Sequence, residues 1–221
     1  QNDFRPVIDL STIPFVYDHI EDFENRIIYY ESSRGCPFRC SYCLSSVEKT
    51  LRFRDVERVK KELAFFLEQE VAQVKFVDRT FNCNHAYAYR IWKYIGEHDN
   101  GVTNFHFEIG GDLLHEEDFL LFDTFRPGLV QFEIGVQSTN PDTLKAIRRT
   151  ADWDLLQKLP STEKQVLLAG GLNPDNVGEA LTACAGKIDG VDTSSGVERA
   201  DGNGKSKERI EAFVRAVRGN K

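Results

Sequence analysis

The 221-residue chain contains no methionine at all. Methionine is a common flexible filler of protein cores, so its absence is expected of an edited or truncated chain. Long apolar runs are missing too. None approaches the roughly 18 residues that span a bilayer, and no signal-peptide pattern opens the sequence. Positive charge is in deficit, with 28 Lys and Arg against 35 Asp and Glu, a net charge of -7. Neutralising a nucleic-acid backbone needs a clustered basic surface, so nucleic acid is excluded as a partner. A membrane is excluded with it, and a cytoplasmic setting fits best. Cysteine is scarce: five in all, three of them between positions 36 and 43, with Cys83 and Cys184 apart. That is a poor disulfide framework and a better metal site in a reducing compartment.

What the chain does hold, from Arg26 onward, is an alternation of β-rich runs and amphipathic helical stretches. The predicted strands are Ile27–Glu31, Val74–Val77, Phe105–Ile109, Val130–Gly135, Gln165–Ala169 and Gly190–Thr193. The predicted helices are Arg54–Glu70, His85–Glu97, Glu116–Phe125, Pro141–Arg148, Trp153–Leu159, Pro174–Ala185 and Ser206–Val217. Apolar residues recur at helical spacing in the first of these, at Val56, Val59, Leu63, Phe66 and Leu67. Asn173 followed by Pro174 reads as an N-cap and first turn. Such repetition predicts right-handed crossovers and a parallel sheet. Six units are countable, so the expected fold is α/β, a TIM-barrel-like (βα)6 parallel sheet that is a partial or open barrel. Residues 1–25 fit no unit and read as an N-terminal arm or linker draped on a single domain over 26–221. An open parallel edge would invite a second copy, giving a homodimer.

Unusual polar and glycine clusters follow the ends of these strands, the face on which parallel barrels build their sites. The first such cluster is Cys36, Cys40 and Cys43, a CxxxCxxC run. Three thiolates at this spacing can hold three corners of a cubane iron–sulfur cluster and leave one iron open. A zinc half-site is the alternative, but its fourth ligand, at Cys83 or His85, would be far in sequence. Three structural thiols are the bland reading, which the loop character of Pro37, Arg39 and Ser41 opposes.

The segment from Tyr30 to Ser45, continued through 76–82, 107–112 and 132–138 and ending near Thr150, resembles the radical S-adenosylmethionine superfamily, in its cobalamin-linked branch. The resemblance implies that Cys36, Cys40 and Cys43 ligate a 4Fe-4S cluster whose open iron chelates the methionine part of S-adenosylmethionine. Reductive cleavage would then yield a 5′-deoxyadenosyl radical. It further implies Tyr42 beside adenine, Asp78 near the methionine amino group, and Glu108, Gln137, Ser138 and Arg149 along ribose and carboxylate. For Glu108 a solvated strand end is an equal reading. The arm resembles the linker that follows a cobalamin-binding domain, a domain absent from this sequence.

The last third differs. Gly170 and Gly171 precede a helix start, and Ser194, Ser195 and Gly196 follow the last strand. Glycine pairs let backbone N–H groups approach an anion, and TIM barrels often bind phosphate after their last two strands. The stretches 150–155, 168–177 and 191–198 resemble the C-terminal quarter of phosphoribosylanthranilate isomerase, which implies phosphate or a phosphorylated ligand at these five residues. That family's cysteine base and aspartate acid lie on strands missing here, so isomerase chemistry is not expected. The expectation is a chimera joined near Thr150: a barrel scaffold without native turnover rather than a working radical enzyme or an isomerase remnant.

Overall fold

The structure, a computed structural model, describes residues 7–47, 50–135, 141–149, 166–184 and 187–219. Its strands are β1 (Ile28–Tyr30), β2 (Ser33–Arg34), β3 (Arg52–Phe53), β4 (Gln73–Phe76), β5 (Asn104–Ile109), β6 (Val130–Gly135), β7 (Leu167–Ala169) and β8 (Gly190–Asp192). The helices among the described residues are α1 (Val56–Glu68), α2 (His85–Glu97), α3 (Glu116–Phe122), α4 (Pro141–Ala146), α5 (Val177–Ala183) and α6 (Lys207–Arg218). Six strands form one parallel sheet in the order β1-β4-β5-β6-β7-β8. β8 does not pair with β1, so the barrel stays open, as the six-unit count predicts.

Local chemistry sets the helix boundaries. Asp55 accepts from the Arg58 backbone N–H at 2.9 Å and starts α1 two residues later than the periodicity suggests. At its far end Glu70 has φ 50°, a left-handed conformation that stops the helix. Asn84 caps α2 through the Tyr87 amide, and Ser206 caps α6 through the Arg209 amide. Other boundaries shift as well: α3 ends at Phe122, α4 ends at Ala146, and α5 begins at Val177 instead of Pro174. Near Pro174 the Asn173 carboxamide accepts from the amides of Asp175 and Asn176, which makes a side-chain turn ahead of the helix. The Trp153–Leu159 helix and the Thr150 junction lie outside the described residues.

The outer face of the sheet packs an aromatic layer. Phe76, Phe81 and Phe107 lie within 4.4 to 5.1 Å of one another, centroid to centroid, and Trp92 on α2 closes over Phe81 and Phe107. The arm is tied to α1: Leu10 is buried, Phe15 packs edge-on against Phe65, and Arg58 donates to the Ser11 and Ile13 carbonyls. A second, smaller cluster of Leu168, Leu172, Val177, Ala180, Cys184, Val197 and Phe213 serves β7, β8 and their helices. The short antiparallel β2–β3 pair was not expected from the pattern. It joins Ser33 to Phe53 and Arg34 to Arg52, framing the cysteine loop.

Candidate functional site

The cysteine loop leaves β1 under tight control. Gly35 has φ +99°, and a Cβ there would sit 2.6 Å from the Thr50 carbonyl oxygen. Only glycine fits just before Cys36. Cys40 is buried, whereas Cys36 and Cys43 are partly exposed, and none forms a disulfide. The Cys36 Sγ lies 3.5 Å from Thr80 Oγ1. The loop is docked from above, since Ser41 donates its amide to the Ile147 carbonyl at 3.0 Å. Tyr42 is 57% exposed, with its phenol pKa raised chiefly by partial burial.

Asp78, expected near the methionine amino group, lies at the end of β4 beside the start of the cysteine loop. It is fully enclosed and accepts from the Ser32 amide at 3.0 Å, the Ser32 hydroxyl at 2.7 Å and the Ser33 hydroxyl at 2.5 Å. The carboxylate anchors the backbone just ahead of the cysteine loop. Burial pushes its pKa up to about 6 despite these donors. Burial also pushes the Cys83 thiol up to about 11, reinforced by the charges of Asp78 and Cys36. The Arg149 guanidinium covers the Phe38 ring at 4.2 Å, inside the cysteine run. Its Nε is buried with no hydrogen-bond partner among the described residues. Gln137 and Ser138 lie outside the described residues.

The inner face of the sheet carries a polar layer of which the motif reading gave only Glu108, although strand periodicity could have revealed the rest. Lys75, His106, Glu108 and Glu133 alternate with apolar positions. Glu133 lies 3.3 Å from both Lys75 Nζ and His106 Nε2, and Glu108 lies 4.0 Å from Lys75. The close approach of His106, with Lys75 beside it, holds Glu133 down at about 2, while burial and the nearby Glu133 raise Glu108. A covered parallel sheet is normally apolar on both faces, so this alternation marks a polar lumen. A cavity of about 260 Å³ opens between the ends of β1 and β4, lined by Glu31, Ser33, Arg34, Gly35, Val77 and Arg79 among others.

At the other end of the sheet the two glycine loops are bonded together. Gly170 and Gly171 have φ of +101° and +65°. The Thr193 hydroxyl donates to the Leu172 carbonyl at 2.5 Å, and a Cβ on Gly196 would fall 1.8 Å from that same oxygen. Two cations missed by the sequence reading crowd the loop. Lys205 donates to the Ser194 carbonyl and hydroxyl and to Glu198, and Arg209 donates twice to the Gly196 carbonyl. Among the described residues the amides of Gly171, Ser195 and Gly196 donate to no protein acceptor.

A family model described as the radical SAM superfamily matches residues 30–159. The chain belongs to that superfamily. A second model, N-(5'phosphoribosyl)anthranilate (PRA) isomerase, matches residues 149–216, so the two overlap around the expected junction. The isomerase of Azorhizobium caulinodans is 51% identical over 70 residues, 32% of this chain and 29% of that protein. The chloroplastic isomerase 1 of Arabidopsis thaliana is 49% identical over 63 residues, 28% of this chain and 22% of that protein. The chain therefore spans less than a third of the length of these relatives. Its fold is similar to that of the radical S-adenosylmethionine methyltransferase TsrM from Kitasatospora setae, solved with cobalamin and a 4Fe-4S cluster bound. That likeness has a TM-score of 0.62 at 17% identity and covers 86% of this chain and 40% of that one. The radical SAM chain is thus a chimera, continued at its C-terminal end by isomerase sequence.

Proposed function

We propose that this radical SAM chimera is an engineered barrel scaffold, one (βα) barrel-like domain over residues 26–221, that keeps two binding loops but not native turnover. The observation that carries the reading is the seam. Among the described residues the radical SAM strand β6 pairs with the isomerase strand β7 through Ile134 with Leu168 and Gly135 with Ala169. The last two strands of the site are therefore foreign to the first four.

Cys36, Cys40 and Cys43 fit a 4Fe-4S cluster: three free thiols on one loop, with the Arg149 guanidinium stacked on that loop and its buried Nε without a partner among the described residues. When bound, the cluster supplies the electron that cleaves a C–S bond of S-adenosylmethionine. The chain's own part is to hold the loop through Asp78 and Gly35, to present Tyr42 to adenine and to offer Arg149 to an anionic group. Glu108 would line the ribose side from β5. Misplacing a reacting group by about 1 Å costs on the order of a hundredfold in rate, and half of this cradle comes from another family.

The glycine loops support an anion site. Unpaired amides at Gly171, Ser195 and Gly196, with Arg209 behind them, suit phosphate or a phosphorylated ligand. The missing acid–base pair argues against isomerisation.

The test is anaerobic reconstitution, then dithionite and S-adenosylmethionine, with 5′-deoxyadenosine quantified. The expected result is cluster uptake with trace product. Brisk formation would replace the scaffold reading with a working radical enzyme. A triple Cys→Ala variant that takes up iron equally well would remove the site assignment. Phosphate titration followed by NMR should move both loops' amides, and Gly171→Asp should abolish the response by repulsion and steric block.

A further inference from the structure

We propose that His85, His115 and Glu117 form a binding site for a divalent first-row cation, best matched by zinc. The three residues come from two different loops, His85 opening α2 and the other two bracketing the start of α3. Their donor atoms nevertheless lie within 4.8 Å of one another. The two imidazoles stack at 3.8 Å with their planes 13° apart, so one ring turns out of the stack for both in-plane nitrogen lone pairs to meet one ion.

A second observation points the same way. Asp118 is fully buried; its Oδ2 accepts the His115 amide at 2.8 Å while its Oδ1 lies 3.0 Å from His85 Nε2. One carboxylate thus orients both histidine-bearing segments; by accepting His85 Nε2–H, as outer carboxylates do behind metal-ligating imidazoles, it leaves Nδ1 as the ligand atom of His85. Two imidazoles and one carboxylate are a donor set used by zinc with a fourth position open to water. The N-terminus of α2 carries partial positive charge that opposes a cation. Glu116, Glu117 and Asp118 offset it, so the affinity expected is moderate, below that of a closed structural site. None of these residues belongs to the cysteine loop, and the proposal does not rest on its cluster.

Zinc is titrated calorimetrically into the full chain carrying Cys36→Ser, Cys40→Ser and Cys43→Ser, which removes competing thiols. One equivalent should bind. His115→Ala and Glu117→Gln, both at exposed positions, should weaken it roughly tenfold or more, and Glu117→Gln should do so without changing the metal-free melting temperature. In the unmodified chain, zinc should shift the imidazole nitrogen resonances of His85 and His115 and leave His19, His98 and His106 in place. No uptake by the serine variant, unchanged affinity in His115→Ala, or shifts confined to the other histidines would each overturn the site.

Discussion

The strands β1 and β4 to β6 and the pair β7–β8 share one topology but are packed to different standards. The first region buries Phe66, Phe76, Phe81, Trp92, Phe105 and Phe107 completely, in a cluster of 21 buried residues. Among the described residues the second buries seven, of which Phe213 is the only large ring. Within the first region β5 and β6 pair over five positions; across the seam the described residues of β6 and β7 pair over two. A parallel ladder can be extended across a family boundary because its hydrogen bonds are made by the backbone. Side-chain packing has no such generality, since each core evolved against its own partners. The difference predicts a molecule whose two regions unfold with unequal stability.

Phe107→Ala should give the largest effect, costing about 3–5 kcal/mol in equilibrium urea unfolding. Phe213→Ala should cost less and leave amide protection in β4 to β6 unchanged. Equal loss of protection in both regions would show one cooperative unit and end the distinction.

The pH dependence of stability separates two carboxylates of the first region. Burial raises the Asp78 pKa from 3.8 to about 6, so the native state holds that proton more tightly than the unfolded chain. The associated stability is fully present below about pH 4 and falls, by roughly 3 kcal/mol, as pH rises through 6. Asp78→Asn should flatten that fall. Glu133 has the opposite sign: lowered from 4.5 to about 2, its contribution is present above about pH 4.5 and is lost as pH drops toward 2. Solvent screening makes it the smaller of the two, because the side chain is 42% exposed. Urea midpoints of Asp78→Asn and Glu133→Gln between pH 2 and 7 should therefore differ from the parent in opposite directions; the same direction for both would refute the assignment.

Gly196→Ala brings a Cβ against the Leu172 carbonyl and should cost about 1–3 kcal/mol, with faster amide exchange confined to β7 and β8. Gly202→Ala is the control for strain without contact. Its φ is +73° with open space around it, so about 1 kcal/mol is expected in the same assay. A cost for Gly196→Ala no greater than this would mean that the two loops are not tightly packed together.

Local pattern was enough for the elements. The 3.6-residue spacing of Val56, Val59, Leu63, Phe66 and Leu67 marks α1, β6 runs from Val130 to Gly135 as read, and the CxxxCxxC loop lies where strand one ends. These features depend on neighbours a few residues away, which a sequence displays directly. Boundaries slipped where a side chain took over the backbone, as Asn173 does ahead of α5. Contacts between distant positions were decided by the tertiary structure. Strand order brings Asp78 under Ser32 and Ser33, where it anchors the backbone ahead of the cysteine loop. The docking of residue 147 over Ser41 sets Arg149 on Phe38, and two adjoining loops stack His85 on His115. Such pairings span 30 to more than 100 residues. Their cause is the register and crossover of whole elements, which no local period encodes.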